Sequence, residues 1–243
     1  MIEKMVEQIS KYWPPGPPAM QQMESKDPDI LQYYQQWGFD IYRTYYGPGS
    51  DEAWGKLLYA LKHQTRLAFG HYDGREDADQ RHVDILEDLF YLDARADKSL
   101  LDGLDVQGIR KFCRHENTDK DRVMSVSIHD YVLLADESTL KDVSGREFVV
   151  KAVSLDWKRG HRGWGWMRIP TGYLLDLWQL LMLNSMRTEL AIDFDGPEED
   201  LGDYVWPGDL TLNNTGSYSE IRQFLKHYSG QSPRRSLECD KEA

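Results

Sequence analysis

Cysteine is nearly absent from this 243-residue chain: there are two, Cys113 and Cys239, far apart, the second in a polar tail. No disulfide framework is expected, and a reduced, cytoplasmic setting follows. Long apolar runs are missing too. The nearest, Tyr173 to Leu183, is broken by Asp176 and Gln179 and falls short of the ~18 apolar residues of a membrane span. The first residues carry Glu3, Lys4, Glu7 and Lys11 with no apolar h-region, so neither secretion nor membrane association is expected. Positive charge is scarce: 29 Lys and Arg against 41 Asp and Glu give a net charge of −12. Such a surface repels a phosphate backbone at long range, and DNA is not an expected partner. Several catalytic templates are also lacking. There is no G-x-S-x-G elbow, no Gly-x-x-x-x-Gly-Lys loop, no H-E-x-x-H and no cysteine pair at metal-ligand spacing. Gly47-Pro48-Gly49 lacks the third glycine of a dinucleotide fingerprint, and its proline removes an amide donor. The seven histidines, at 63, 71, 82, 115, 129, 161 and 227, show no ligand spacing. No metal and no cofactor are expected.

What is present is a core. Hydrophobic residues make up 40% of the chain, with 8 Trp, 14 Tyr and 7 Phe, too many buried-type side chains for a disordered protein. Residues 1–36, with Trp13 followed by Pro14, Pro15, Pro17 and Pro18, read as a Pro-rich N-terminal arm packing through Trp13. From Phe39 to Tyr46 aromatic and β-branched residues predict a strand, ended by Gly47-Pro48-Gly49. Ser50 then reads as an N-cap, with Asp51 and Glu52 in the first turn of a helix bearing Trp54, Leu57, Leu58 and Leu61. A polar loop from His71 to His82 precedes a short strand at Leu89–Leu92, and Asp105 caps a helix through Val106, Ile109 and Cys113. Further strands are predicted over Val123–Leu134 and Glu147–Ser154. A Gly/Trp-rich loop and a helix after Pro170 carrying Leu174, Leu177, Trp178 and Leu181 follow. The core ends near Leu190. Residues 193–243 read as an exposed acidic loop, a short helix around Ser219–His227 and a disordered tail. The pattern predicts one α+β domain over 37–192, with about four strands packed with three or more helices.

Three local features carry chemistry. Arg43 stands in the first strand beside the acidic helix start, where its fork can meet Asp51, Asp93, or a ligand carboxylate or phosphate. The run Trp157-Lys158-Arg159-Gly160-His161-Arg162-Gly163-Trp164-Gly165-Trp166-Met167-Arg168 has four fixed cations, three tryptophans and no acid. Cations neutralise phosphates while aromatic faces stack on bases, so it suits RNA; equally, Trp157 and Trp166 can be core anchors flanking a solvated loop. Acids at predicted strand ends, Asp93, Asp136, Glu137 and Asp156, can converge on a cleft, or serve simply as turn residues.

The block Gly38-Phe39-Asp40-Ile41-Tyr42-Arg43-Thr44-Tyr45-Tyr46 with Ser50-Asp51-Glu52-Ala53-Trp54 resembles a large family of cytoplasmic fungal proteins. Leu101–Val106 with Ile109–Phe112, Ala135–Leu140 and Trp166–Pro170 look like further blocks of it, so the likeness spans about residues 37–182. Within that family the arginine-containing cyclodipeptide synthases of fungal secondary metabolism are similar. The resemblance implies an enzyme that takes arginyl-tRNA and a second aminoacyl-tRNA and joins the amino acids into a diketopiperazine. Aminoacyl-tRNA is an activated ester, so such an enzyme needs no ATP loop but does need acids for an amine and a guanidinium, a base and an electropositive path for the acceptor stem. The D-D-x-x-E motif associated with these enzymes is not spelled here; the nearest acid pairs are Asp51-Glu52 and Asp136-Glu137. On this reading Asp136, Glu137 and Arg43 are catalytic, Asp51, Glu52, Asp93 and Asp156 bind substrate, and Trp157, Lys158, Arg159, Arg162, Trp164 and Arg168 meet RNA. A non-catalytic interaction module and a tailoring enzyme acting on a small metabolite remain open beside it.

Overall fold

Trp-Gly-Phe-Asp-Ile-Tyr-Arg forms strand β1 (Trp37–Arg43) in the computed structural model, which describes residues 2–11, 28–70, 78–115, 130–158, 164–183 and 196–206. All seven residues of β1 are buried. It lies inside a five-stranded sheet of order β2-β1-β3-β4-β5. Strands β2 (Phe90–Arg95) and β3 (Tyr131–Ala135) flank it in parallel, while β4 (Val149–Ser154) runs antiparallel to β3 and β5 (Trp166–Pro170) antiparallel to β4. A parallel strand covered on both faces reads as continuous apolar sequence, which is why the Phe39–Tyr46 prediction overlaps it. Gly38, at φ +139°, allows the close β1–β2 contact: a Cβ there would lie 1.9 Å from the Tyr91 carbonyl oxygen.

Helices cover both faces. Side chains alternate along a strand, so Phe39, Ile41, Leu133, Ala152 and Ile169 share one face. They pack with α1 (Ile2–Ile9), α2 (Ser50–Ala68), α3 (Gln80–Leu89), α6 (Glu137–Ser144) and α7 (Leu174–Leu183) in the main core. Tyr42, Val132, Leu134 and Val153 on the other face pack under α4 (Lys98–Leu101) and α5 (Val106–His115). The chain is thus a single domain of mixed α and β structure, as expected, with one strand more than the four anticipated.

The differences from the sequence reading have identifiable causes. Helix α1 buries Ile2, Met5, Val6 and Ile9 in the main core, so the N-terminal segment begins with a core helix and not with an arm. The predicted anchor, Trp13, lies outside the described residues. Helix α3 occupies part of the stretch read as polar loop: Asp79 caps it by accepting from the Arg81 amide, and Trp37 donates from its indole nitrogen to the Leu86 carbonyl oxygen at 2.6 Å. Ser50 is not the cap of α2. That role falls to Gly49, in the left-handed region at φ 75°, while the Ser50 hydroxyl donates to the Gly47 carbonyl oxygen. Asp105 does cap its helix, accepting from the Gly108 amide at 2.7 Å. Strand β5 falls in what the sequence suggested was loop. Beyond 196 the chain returns to the core: Val205 bridges to Arg168, and Leu201 and Trp206 are buried, although Glu198 and Glu199 are exposed. The predicted strand over 123–129, the helix around 219–227 and the C-terminal tail lie outside the described residues. No helix among the described residues is long and apolar enough to cross a membrane.

Candidate functional site

Chain direction sets where a site can form. From the carboxyl end of β1 the chain passes through α2 and α3 to β2 on one side; from the adjacent end of β3 it passes through α6 to β4 on the other. Both connections run over the main-core face, where α2 and α6 pack against each other, so the residues that end β1 and β3 are gathered at one edge of the sheet. Arg43 ends β1 there, and Asp136 follows β3.

Because β4 is antiparallel, it starts at this edge, and register places Lys151 opposite Leu134. The Lys151 ammonium, over the Trp166 ring at 5.0 Å, ion-pairs with Asp136 Oδ2 at 2.5 Å. The other Asp136 oxygen caps α6, accepting from the Thr139 amide at 3.1 Å and from the Ser138 hydroxyl at 2.9 Å. Burial pushes the Asp136 pKa up, but the Lys151 charge and these hydrogen bonds outweigh it, and the net shift is downward. Directly across on β5, Arg168 is the register partner of Lys151. Its Nη2 meets Asp142 Oδ2 at 2.8 Å and Glu147 Oε2 at 3.5 Å, and its Nη1 donates to the Gly202 carbonyl oxygen at 2.8 Å. Asp142 is shifted in the opposite sense: burial raises its pKa, Glu147 adds to the rise, and Arg168 opposes it.

Lys151, Arg168, Asp142 and Glu147 line a cleft of about 360 Å³ between α6, the strand pair and the turn at Gly202-Asp203, with Ser138, Lys141 and Gly145 completing the helix side. That volume accommodates a small molecule. The lining therefore carries two buried cations, Lys151 and Arg168, and three acids, Asp142, Glu147 and Asp203, with Asp136 holding Lys151 from outside it; the pKa values of Asp136 and Asp142 shift in opposite directions. Among the described residues no group of three or more His, Cys, Asp and Glu is arranged to hold a metal ion.

The predicted site residues do not all meet here. Arg168 lines the cleft, and Asp136 reaches it only through Lys151. Glu137 turns to Lys141, one helical turn on, at 2.9 Å, so it and Asp136 form no common fork. Arg43 is held elsewhere on the same edge: Nε donates to the Tyr45 carbonyl oxygen at 3.0 Å, Nη2 to Ser50 Oγ at 2.9 Å and to Asp51 Oδ1 at 2.6 Å, and the Tyr46 ring lies 4.5 Å away. Glu52 pairs with Lys56 and Asp93 with Arg95; Asp156 is exposed. The basic run divides. Arg168 is 7% exposed and committed to acids, so it faces no RNA surface. Half-buried Trp157 stacks under the Arg110 guanidinium at 4.9 Å, and Trp164 donates its indole hydrogen to the Gly196 carbonyl oxygen at 3.0 Å. Lys158 is exposed, whereas Arg159 and Arg162 lie outside the described residues.

Lys151, Asp142 and Glu147 escaped the sequence reading. A lysine inside Val149-Val150-Lys151-Ala152-Val153 was a signal, since a charge in a buried strand needs a partner. No protein-family model, curated protein or solved structure matches this chain.

Proposed function

We propose that this chain is an aminoacyl-tRNA-dependent cyclodipeptide synthase that joins arginine to a second amino acid as a diketopiperazine, working in the cytoplasm where charged tRNA is available. The observation that carries the reading is the cleft between α6 and β5. Its Asp142 and Glu147 already grip a guanidinium, that of Arg168, and its lining mixes acids with cations in the way an amino acid with a free amine and an ester carbonyl requires.

In the proposed chemistry the α-amine of one aminoacyl group attacks the ester carbonyl of the other. A C–N bond forms, the C–O bond to the tRNA ribose breaks, and the amine proton passes to the departing ribose oxygen. A second, intramolecular aminolysis closes the ring. No ATP is consumed, in keeping with the missing phosphate loop. Asp142 is suited to relay the proton, because a carboxylate with a raised pKa is a stronger base than an ordinary aspartate. Asp136 stays ionised and holds Lys151 at the cleft wall.

Mass spectrometry of a heterologous host tests this directly. Wild-type protein should yield arginine-containing cyclic dipeptides, and Asp142→Asn should lower the yield by about 10²-fold, the scale of a lost general base. Absence of any such product from well-expressed wild-type protein, with a protein partner co-purifying in its place, would favour a non-catalytic module.

A further inference from the structure

Lys151 and Arg168 stand directly opposite each other on β4 and β5, so both side chains leave the same face of the sheet, and both are buried, at 9% and 7% exposed. Like charges at directly opposed positions repel, and more strongly as water is excluded. The acids nearby relieve only part of this. Of the three N–H donors on the Lys151 ammonium one is taken, by Asp136 Oδ2, and Arg168 Nε donates to nothing among the described residues. A buried cation with donors to spare needs an acceptor, and both residues line a cleft with room for one. The acids there are equally unfinished. Asp142 Oδ2 and Glu147 Oε2 share one nitrogen of Arg168, while Asp142 Oδ1 and Glu147 Oε1 accept no hydrogen bond among the described residues. Three cations of the lining, Lys141, Lys151 and Arg168, balance three acids, Asp142, Glu147 and Asp203. A simple anion or a simple cation would leave one of these charges without a partner; a ligand carrying both signs would not. Asp136 and Glu137, which hold Lys151 and Lys141 without lining the cleft, tilt the balance toward a ligand with one positive charge in excess.

We propose that the cleft binds a free basic α-amino acid, its carboxylate received by Lys151 and Arg168 and its cationic groups by Asp142, Glu147 and Asp203. The carboxylate takes the unspent donors of the two opposed cations and screens them from each other, and the ligand's positive groups take the unspent oxygens of the acids. This goes beyond the synthase reading, with which it shares the cleft. An aminoacyl ester offers a carbonyl oxygen where the free amino acid offers a carboxylate, so the free amino acid holds both cations and competes with the ester for the site. Its binding needs neither tRNA nor a reaction, so it stands or fails apart from product formation.

Isothermal titration calorimetry on the full chain at low ionic strength tests it, with L-arginine, its methyl ester and agmatine, which lacks the carboxyl group, as probes. L-arginine should bind saturably, and the ester and agmatine about tenfold more weakly, the scale of the charge-assisted hydrogen bonds lost with the carboxylate. Arg168→Gln removes one partner of the carboxylate and releases Asp142 and Glu147, so the preference for L-arginine over agmatine should fall close to unity. No saturable binding of L-arginine by wild-type protein, equal affinity for agmatine, or an Arg168→Gln variant that keeps the wild-type preference would each overturn the site. Should Arg168→Gln fail to fold, Asp203→Asn on the half-buried turn takes its place; it should weaken L-arginine about threefold, and an unchanged affinity overturns the site equally.

Discussion

Lys151 and its neighbours show how single side chains set both stability and pH response. Replacing Lys151 with Met leaves Asp136 partly buried without its cation; about 2–4 kcal/mol should be lost, read as a fall in the urea midpoint at constant slope. Asp142 in the cleft and Asp136 beside it then predict opposite pH slopes. Asp136 has a folded-state pKa below its unfolded value, so its contribution is present above about pH 4 and is lost as pH falls through the folded value. Asp142 is raised, so the folded state holds its proton more tightly, and stability is lost as pH rises from about 4 through the folded value. In melts from pH 3 to 7, Asp136→Asn should flatten the acid limb and Asp142→Asn the decline above pH 4. Identical profiles for both variants would mean that the aspartates are not held apart as the cleft geometry requires. Glycines make a similar contrast. Gly38→Ala drives a methyl into the Tyr91 carbonyl and should cost about 3 kcal/mol or more, whereas Gly49→Ala, at φ +75° with nothing within 4 Å, should cost only ~1 kcal/mol of left-handed backbone strain.

At the scale of elements, Arg110 of α5 ties the two strands of the β4–β5 hairpin to the helix layer. Its Nε donates to the Ser154 carbonyl oxygen at 2.9 Å, and its Nη2 to those of Trp164 and Gly165 at 3.3 and 2.8 Å. Gly165 completes the arrangement: at φ +70°, a Cβ there would meet Trp157 Cγ at 2.2 Å and Arg110 Nη2 at 2.5 Å. Burial, with repulsion from Arg114, holds the Arg110 pKa down to about 10, so the clamp remains charged at neutral pH. Arg110→Met should therefore strip partners from carbonyls at both ends of the hairpin connection. About 2 kcal/mol of stability should go, with faster hydrogen exchange concentrated at residues 154–158 and 164–166. Uniform exchange across the sheet would show that Arg110 acts on global stability alone. Elements of this kind were unevenly legible in the sequence. Strand β1 and helix α2 stood out because a run of aromatics is punctuated by Gly47-Pro48-Gly49 and then followed by 3.6-residue periodicity. Helix α1 has the same i, i+3, i+4, i+7 pattern in Ile2, Met5, Val6 and Ile9, but the prolines after it drew the segment into an arm. Strand β5 was hidden behind a glycine-rich stretch and by Arg168, whose burial makes sense only beside Asp142 and Glu147. The cleft was illegible for the same reason. Lys151, Arg168 and Asp142 come together through β3–β4–β5 register, which is a non-local property that no local spacing encodes.

For the molecule as a whole, a net charge of −12 opposes contact with tRNA, so any binding has to come from a local patch that the folded structure leaves free. Of the four fixed cations in the 157–168 run, Arg168 is withdrawn into the cleft by Asp142 and Glu147. Lys158, Arg159 and Arg162 remain as the phosphate-contacting candidates. Each neutralised phosphate contributes about 0.7–0.9 to the slope of log K against log salt, so three cations set a slope of about 2 to 3 for tRNA and no more. Mobility-shift titrations over a range of salt should return that slope for wild type. Replacing Lys158, Arg159 and Arg162 together with Ala should bring it close to zero. Arg168→Gln, by contrast, should leave the slope unchanged while lowering stability, because it strips the cation from two acids at the cleft. A wild-type slope well above 3 would mean that cations outside this run carry the contact. If wild-type protein fails to bind tRNA even at low salt, the path for the acceptor stem is missing and the synthase reading loses its physical support, while the cleft is left as a candidate site for a small polar molecule.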